Sequence, residues 1–364
     1  MGRARCRHNG QSGAGTHCPR THGWGTSLFG TYRTFLALLV VATHLGGYPG
    51  LGSYAVFGFY CLSGYLMTLI MQRRYGYSGD GVLRYGLNRF LRIFPVYWVS
   101  IGLSLALIAL LGNEFTASYH HAIYRPEGAA QWARNLLLYF PQMESPRLTP
   151  PAWALTVELF FYALIALGAS RSPFTSWCWF AVSVLHHVNV AVLQMDSDHW
   201  YFSIPAASLP FATGALIFHY SADISRLTGR LSRWRFACVL AGLGAGILFN
   251  WLFGQVAGGS AKAHFYVNFL LCAAMVALLF DCRELPWISR SADKWLGDFS
   301  YPVYLMHYQI GLLAIVLFGY AGLTLERPGN ALLIIATPLV LATSWGVTVL
   351  LERPIERLRA RIKA

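Results

Sequence analysis

The sequence predicts an all-α integral membrane protein of about ten transmembrane helices, with N- and C-termini cytoplasmic. Three observations lead there. Of its 364 residues, 55% are hydrophobic and only 12% charged, against roughly 25% charged in an ordinary soluble domain; the mean hydropathy is +0.45. The apolar residues gather in long continuous runs, which suit helical spans and not the ~10-residue alternating strands of a membrane barrel. The net charge of +13 sits mainly in the two ends of the chain and in alternate loops. That is the positive-inside pattern, and it argues against a nucleic-acid partner.

Taken in order, residues 1–30 are basic and Gly-rich with no apolar core, so they read as a disordered cytoplasmic tail and not as a signal peptide. Cys6, His8, His17, Cys18 and His22 match no zinc spacing, and no metal is expected. A transmembrane domain is expected over 31–352, with spans near 31–47, 54–72, 93–112, 150–169, 174–195, 203–219, 236–254, 264–280, 298–318 and 332–352. Loops after even-numbered spans carry Arg73, Arg74, Arg84, Arg89 and Arg92, then Arg171, then Arg226, Arg230, Arg233 and Arg235, then Arg283, Arg290 and Lys294. The opposite loops are polar or mildly acidic, as at Asp196 and Asp198, and the basic tail 353–364 closes the chain on the inner side. The longest connection, 113–149, falls on the outer side; its WARNLLLYFP stretch is too short to cross and is expected to be re-entrant or interfacial. Seven cysteines form no disulfide framework; Cys61, Cys178, Cys238 and Cys272 lie in apolar runs as small hydrophobes.

Polar residues inside these runs are the candidates for chemistry, because each is expensive in a bilayer. Arg33 and His44 are eleven positions apart in the first run, which is about 16 Å along a helix and within about 20° of the same face. Taken singly, Arg33 also fits a residue snorkelling to headgroups, and His44 an interfacial ring. In the second run, Gly58, Ser63 and Gly64 permit close helix approach. Arg89 and Arg92 are one turn apart in a cluster that positive-inside bias and anionic-lipid contact mostly explain, and their fork also suits the phosphates of a soluble cofactor. Glu158 lies deep in the run PPAWALTVELFFYAL, near Trp153 and Tyr162, and needs a partner or a wet cavity. His307 lies in DFSYPVYLMHYQIGLL among Tyr301, Tyr304 and Tyr308, where a satisfied core histidine and a functional one are both open.

Six segments in order resemble the acyltransferase 3 family of multi-pass membrane acyltransferases over roughly residues 30–356. They are Arg33 with ten residues before His44, FYCLSGYLMT, RFLRIFPVYW, PPAWALTVELFFY, FSYPVYLMH and LERPIERL. The resemblance implies a roughly ten-helix domain in a bacterial cytoplasmic membrane. It also implies O-acylation, commonly O-acetylation, of a cell-envelope or exported carbohydrate from cytoplasmic acyl-CoA. It carries over the family's motif positions to Arg33, His44, Arg89, Arg92, Trp153, Glu158 and His307. There are departures: Tyr32-Arg33-Thr34 stands where the family has Leu-Arg-Gly, and Leu159 follows Glu158 where a second acidic residue is usual. No esterase-like module is appended, so any hand-off is expected to use separate polysaccharide-biosynthesis partners.

The residues then take roles. His44 is expected to be the base for the sugar hydroxyl, and Glu158 is expected to orient it. Arg89 and Arg92, with Arg33, would hold the phosphates of the donor, and Ser63, Trp153, Tyr301 and His307 would line or support the site. Direct transfer and an acyl-histidine intermediate both fit. Two other classes use the same residues differently. A proton-coupled transporter or lipid-linked-sugar flippase would move solute without acyl-CoA, and a scaffold would tolerate loss of His44 and Glu158.

Overall fold

The computed structural model describes residues 29–229, 231–258, 260–280, 282 and 288–363. The N-terminal Cys and His residues considered for metal, and Arg230 and Arg283 of the inner loops, lie outside the described residues. Within them the chain is helical throughout: α1 Phe29–Val41, α2 Leu51–Ile70, α3 Gly79–Leu111, α4 Asn113–Tyr119, α5 Ala129–Leu137, α6 Ala152–Ala166, α7 Pro173–Val192, α8 Ile204–His219, α9 Ser221–Thr228, α10 Arg233–Val256, α11 Ala261–Leu279, α12 Arg290–Tyr320, α13 Asn330–Val347 and α14 Arg353–Lys363. Each of the ten apolar runs lies on a helix. Among the described residues six helices (α2, α3, α10, α11, α12 and α13) are long and apolar enough to cross a membrane, whereas α6 and α8 are apolar but shorter.

Burial is distributed as lipid exposure demands. On α7, Phe174, Val182, Leu185 and Val192 are exposed, and on α10 so are Phe249, Leu252, Phe253 and Val256. Ser100, Ser104, His307 and Gln309 are buried instead. A water-soluble surface does not carry apolar faces of this extent. The chain is a multi-pass membrane protein.

Three details of packing set up the site. The run expected from 93 begins as a helix at Gly79, because Ser78 caps α3 by accepting from Gly81 N (3.2 Å). Arg84, Arg89 and Arg92 therefore ride on the same rigid helix as the span. Residues 353–363, expected as a tail, form α14 instead and dock on α3, where Arg359 donates to Asn88 Oδ1 (3.2 Å) and Arg84 to the Ile362 carbonyl (3.0 Å). Within 113–149, the short amphipathic α5 lies against α3, with Tyr97 donating to the Asn135 carbonyl (2.6 Å) and Trp98 to that of Leu136 (3.0 Å).

The first helix is capped from another part of the chain. Asp293 on α12 accepts from Gly30 N (2.9 Å) and, through its other oxygen, from Thr31 N and Thr31 Oγ1 (2.7 Å each). Thr34 Oγ1 adds a bond to the Leu296 carbonyl (2.8 Å). Removing this cap with Asp293→Ala should cost about 1–2 kcal/mol, read as a lowered unfolding temperature in detergent. Farther along, α2 and α8 cross with their backbones touching. A Cβ on Gly64 would overlap the Phe211 carbonyl, and one on Gly214 would overlap the Cys61 carbonyl. Gly214→Val should cost roughly 1–3 kcal/mol through overpacking, while Gly86→Ala, where a Cβ meets nothing within 4 Å, should leave folded yield unchanged. Equal yields for the two variants would refute this contact.

Candidate active site

The functional residues fall into two connected groups along the α1–α12 contact. Arg33 opens into a cleft that Ser300, Tyr301 and Tyr304 of α12 also line. His44, farther along α1, meets His307. Ser300, Tyr304 and His307 repeat at helical spacing, so one stripe of α12 serves both ends, and Arg33 and His44 both address that stripe. The chain at His44 is not regular α-helix. Residues Ala42–Gly46 form a π turn closed by left-handed Gly47 (φ 80°), a feature often met at functional sites. Thr43 Oγ1 fixes the turn by accepting from Gly52 N (2.7 Å), and Gly329 N donates to the Leu45 carbonyl (2.8 Å).

The hydrogen bonds of the two imidazoles decide their tautomers. His307 Nδ1 lies 2.7 Å from the Tyr304 carbonyl, which can only accept, so this nitrogen carries the proton. Neutral His307 therefore presents an unprotonated Nε2, and His44 Nδ1–H donates to it across 2.9 Å. The rings are nearly parallel, 5° apart, and Tyr308 packs against both at a tilt, 4.8 and 4.7 Å away. What remains on His44 is the Nε2 lone pair. His307 is buried, while His44 is partly accessible.

The cleft lies on the Arg33 side of this pair. It encloses about 810 Å³, its open mouth included, and its lining includes Arg33, Ser63, Arg89, Arg92, Glu158, Tyr162 and Tyr301. Six of the nine residues singled out in the sequence thus converge here. Glu158 accepts from Ser63 Oγ at 2.5 Å, with the Tyr162 hydroxyl 3.5 Å from the same Oγ. The group expected to orient His44 is therefore bound to α2 inside the cleft, and His307 holds that imidazole. Sequence spacing could not separate these options, because the partner lies over 260 residues away along the chain. Trp153 faces elsewhere, packing edge-on against Tyr201 (5.4 Å) and Phe202 (5.0 Å).

The three cleft arginines are not equivalent. Arg92 is bound to Glu352 (3.1 Å), which sits in a second π turn, Thr348–Glu352, and its guanidinium lies over the Tyr301 ring at 5.5 Å. Arg89 donates to Asn88 Oδ1 (2.7 Å), and its Nε is buried without a partner. Arg33 has no hydrogen bond or ion pair to the described residues. Two guanidiniums with free donors, opposite one carboxylate, make a cleft that favours an anion.

Beyond the histidine pair, the loop before α13 and the connection between α4 and α6 bring in residues that the sequence pattern did not single out. Arg327 lies over the rings of Tyr119 (4.4 Å) and Tyr308 (4.8 Å) and donates to the Tyr119 carbonyl. His120 meets Tyr308 edge-on at 4.7 Å. Burial, and then the Arg327 charge, pushes this loop imidazole down to about 3, so His120 is neutral at working pH. Arg147 is buried and bonded to the Pro150 (2.7 Å) and Glu144 (2.9 Å) carbonyls, which fixes the entry to α6. A signal for Arg327 existed: it is an arginine on the side where the charge pattern leaves few.

A partly accessible imidazole held by a second imidazole, near a cleft lined by arginines among apolar helices, is an arrangement able to do acid–base chemistry inside a multi-pass membrane protein. Residues 31–350 match the model of an acyltransferase-domain family, and the chain belongs to it, the acyltransferase 3 family. It is thus a membrane acyltransferase. The exopolysaccharide production protein ExoZ of Rhizobium meliloti (strain 1021) is 25% identical over 337 residues, covering 89% of this chain and 96% of that protein. No solved structure matches.

Proposed function

We propose that this membrane acyltransferase transfers an acetyl or other short acyl group from acyl-CoA to a hydroxyl of an exported or cell-envelope carbohydrate. It would work in a bacterial cytoplasmic membrane, with all ten long apolar runs crossing and both termini on the cytoplasmic side. Arginines in alternate loops support that orientation. The observation that carries the proposal is the His44–His307 hydrogen bond, which leaves one nitrogen lone pair of a partly accessible imidazole in the α1 segment that also lends Arg33 to an anion-favouring cleft. The carbohydrate acceptor is drawn from the relative, which is a protein of exopolysaccharide production.

In this mechanism the CoA phosphates meet Arg33 and Arg89. The pantetheine arm, about as long as five extended residues or roughly 17 Å, matches the ~16 Å from Arg33 to His44 along α1. The acyl thioester then reaches the histidine pair while the nucleotide stays at the cleft mouth. His44 Nε2 takes the proton of the acceptor hydroxyl as its oxygen attacks the thioester carbonyl. His307 stabilises the resulting imidazolium through the Nδ1–H it accepts. When the C–S bond breaks, the CoA thiolate leaves with the electron pair and recovers the proton from His44. Glu158, fixed by Ser63, faces the arginines across the cleft and sets how the donor's polar arm enters.

The test uses the purified protein in liposomes with isotopically labelled acetyl-CoA and a host-derived exopolysaccharide. Mass spectrometry should find labelled acetyl ester on the saccharide only when protein and donor are both present. Solute movement without donor, with no ester formed, would refute the proposal in favour of a transporter.

A further inference from the structure

The acyl-transfer mechanism leaves one demand unmet by the histidine pair. Attack on the thioester carbonyl places negative charge on its oxygen, and within a low-dielectric site that charge needs preorganised donors. Neither His44 nor His307 supplies one. The first gives its only proton to the second, and the second gives its own to the Tyr304 carbonyl.

Two buried donors beside the pair have no partner. Arg327 Nε and the Tyr119 hydroxyl are each shielded from solvent and unbonded. They belong to one stack, with the Arg327 guanidinium 4.4 Å from the Tyr119 ring and 4.8 Å from Tyr308. Tyr308 in turn lies 4.8 Å from the His44 ring. The stack is held rigidly. Arg327 is also bonded to the Tyr119 carbonyl, and two residues on, Gly329 N is bonded to the Leu45 carbonyl beside His44. A buried donor left unpaired costs about 1–3 kcal/mol, and two of them in one stack beside the base, one on a cation and one on a phenol, point to a transient oxygen acceptor.

We infer that Arg327, assisted by the Tyr119 hydroxyl, is the oxyanion-stabilising group for the acyl-transfer step. The carbon under attack bonds to the oxygen that His44 deprotonates, and in this assignment its carbonyl oxygen turns toward the guanidinium that shares Tyr308 with the His44 ring. As the acceptor oxygen bonds to that carbon, the carbonyl π pair moves onto its oxygen and is held by Arg327. When the pair returns, the C–S bond breaks and the CoA thiolate departs. Arg327 enters from the side opposite the donor cleft, so its charge acts on the transition state and not on the phosphates.

This inference rests on the acyl-CoA mechanism proposed above, and the test separates the two. Arg327→Met, Arg327→Lys, Tyr119→Phe and His44→Ala would be assayed with varied acetyl-CoA and varied acceptor, beside equilibrium binding of CoA by calorimetry. Arg327→Met should lower kcat roughly 100- to 1,000-fold with KM for both substrates and CoA affinity unchanged. Arg327→Lys should recover part of that loss, and Tyr119→Phe should show a smaller loss in kcat alone. Lost CoA binding in Arg327→Met would assign the arginine a structural role and overturn the inference. A raised acceptor KM at unchanged kcat would overturn it too, making Arg327 a reader of acceptor charge. Wild-type kcat in Arg327→Met with His44→Ala inactive would remove only Arg327; wild-type activity in His44→Ala would remove the underlying mechanism.

Discussion

Replacing His44 with alanine is expected to lower the acyl-transfer rate by roughly 100- to 10,000-fold at unchanged yield of inserted protein. The loss should appear in kcat, because the side chain meets the acceptor hydroxyl and not the donor phosphates. His307 offers a sharper test of the same geometry. It contributes no proton to the reaction; it fixes which nitrogen of His44 carries one, because its own Nδ1–H is committed to the Tyr304 carbonyl at 2.7 Å. His307→Ala frees His44 to adopt either tautomer and removes the acceptor that stabilises its charged form. A fall of roughly 10- to 100-fold in kcat is expected, by analogy with the loss of an orienting partner in other base-dependent sites. His307→Gln presents an amide oxygen in place of Nε2 and should retain more activity than His307→Ala. Steady-state kinetics on the three variants decides the matter. Equal activity of His307→Ala and wild type would mean the 2.9 Å contact does no chemistry.

Much of this was legible in the sequence, for identifiable reasons. The helices announce themselves because a bilayer demands long apolar runs, and all ten runs lie on helices. Eleven steps of α-helical period put Arg33 and His44 on one face; the π turn at Ala42–Gly46 departs from that period, yet both residues address the Ser300–Tyr304–His307 stripe of α12. What spacing does not encode is which distant polar group completes which. Glu158 was expected at His44 because a carboxylate is the usual partner of an imidazole base. Only the packing of α2 against α6 shows that Ser63 takes it, and only the α1–α12 contact gives His44 its imidazole. Asp293, Glu352 and Arg327 escaped for a related reason. Each lies near an end of its apolar run, where a charge reads as solvated or interfacial, and each becomes meaningful through a contact spanning more than 200 residues.

The arginines of the cleft should separate into two kinds by mutation. Arg33 makes no hydrogen bond to the described residues, and Arg89 keeps a buried Nε without a partner. Arg92 is tied to Glu352 at 3.1 Å, with side chains 20% and 7% exposed. If the first two hold donor phosphates, each gives up a charge-assisted hydrogen bond worth about 1.5–3 kcal/mol when changed to glutamine. At about 1.4 kcal/mol per tenfold change, Arg33→Gln and Arg89→Gln should each raise KM for acyl-CoA roughly 10- to 100-fold at nearly constant kcat. Arg92→Gln is expected to act through folding instead, since it strands Glu352 as a buried carboxylate at a cost of about 3–5 kcal/mol. Its signature is a low yield of folded protein, restored in part by the double change with Glu352→Gln, which removes the stranded charge. Glu352→Gln alone releases Arg92 into the cleft and should tighten donor binding while lowering stability. A lowered kcat with unchanged KM in Arg33→Gln and Arg89→Gln would take the donor phosphates out of this cleft. The His44–His307 pair would then need its thioester delivered from the Arg327 side.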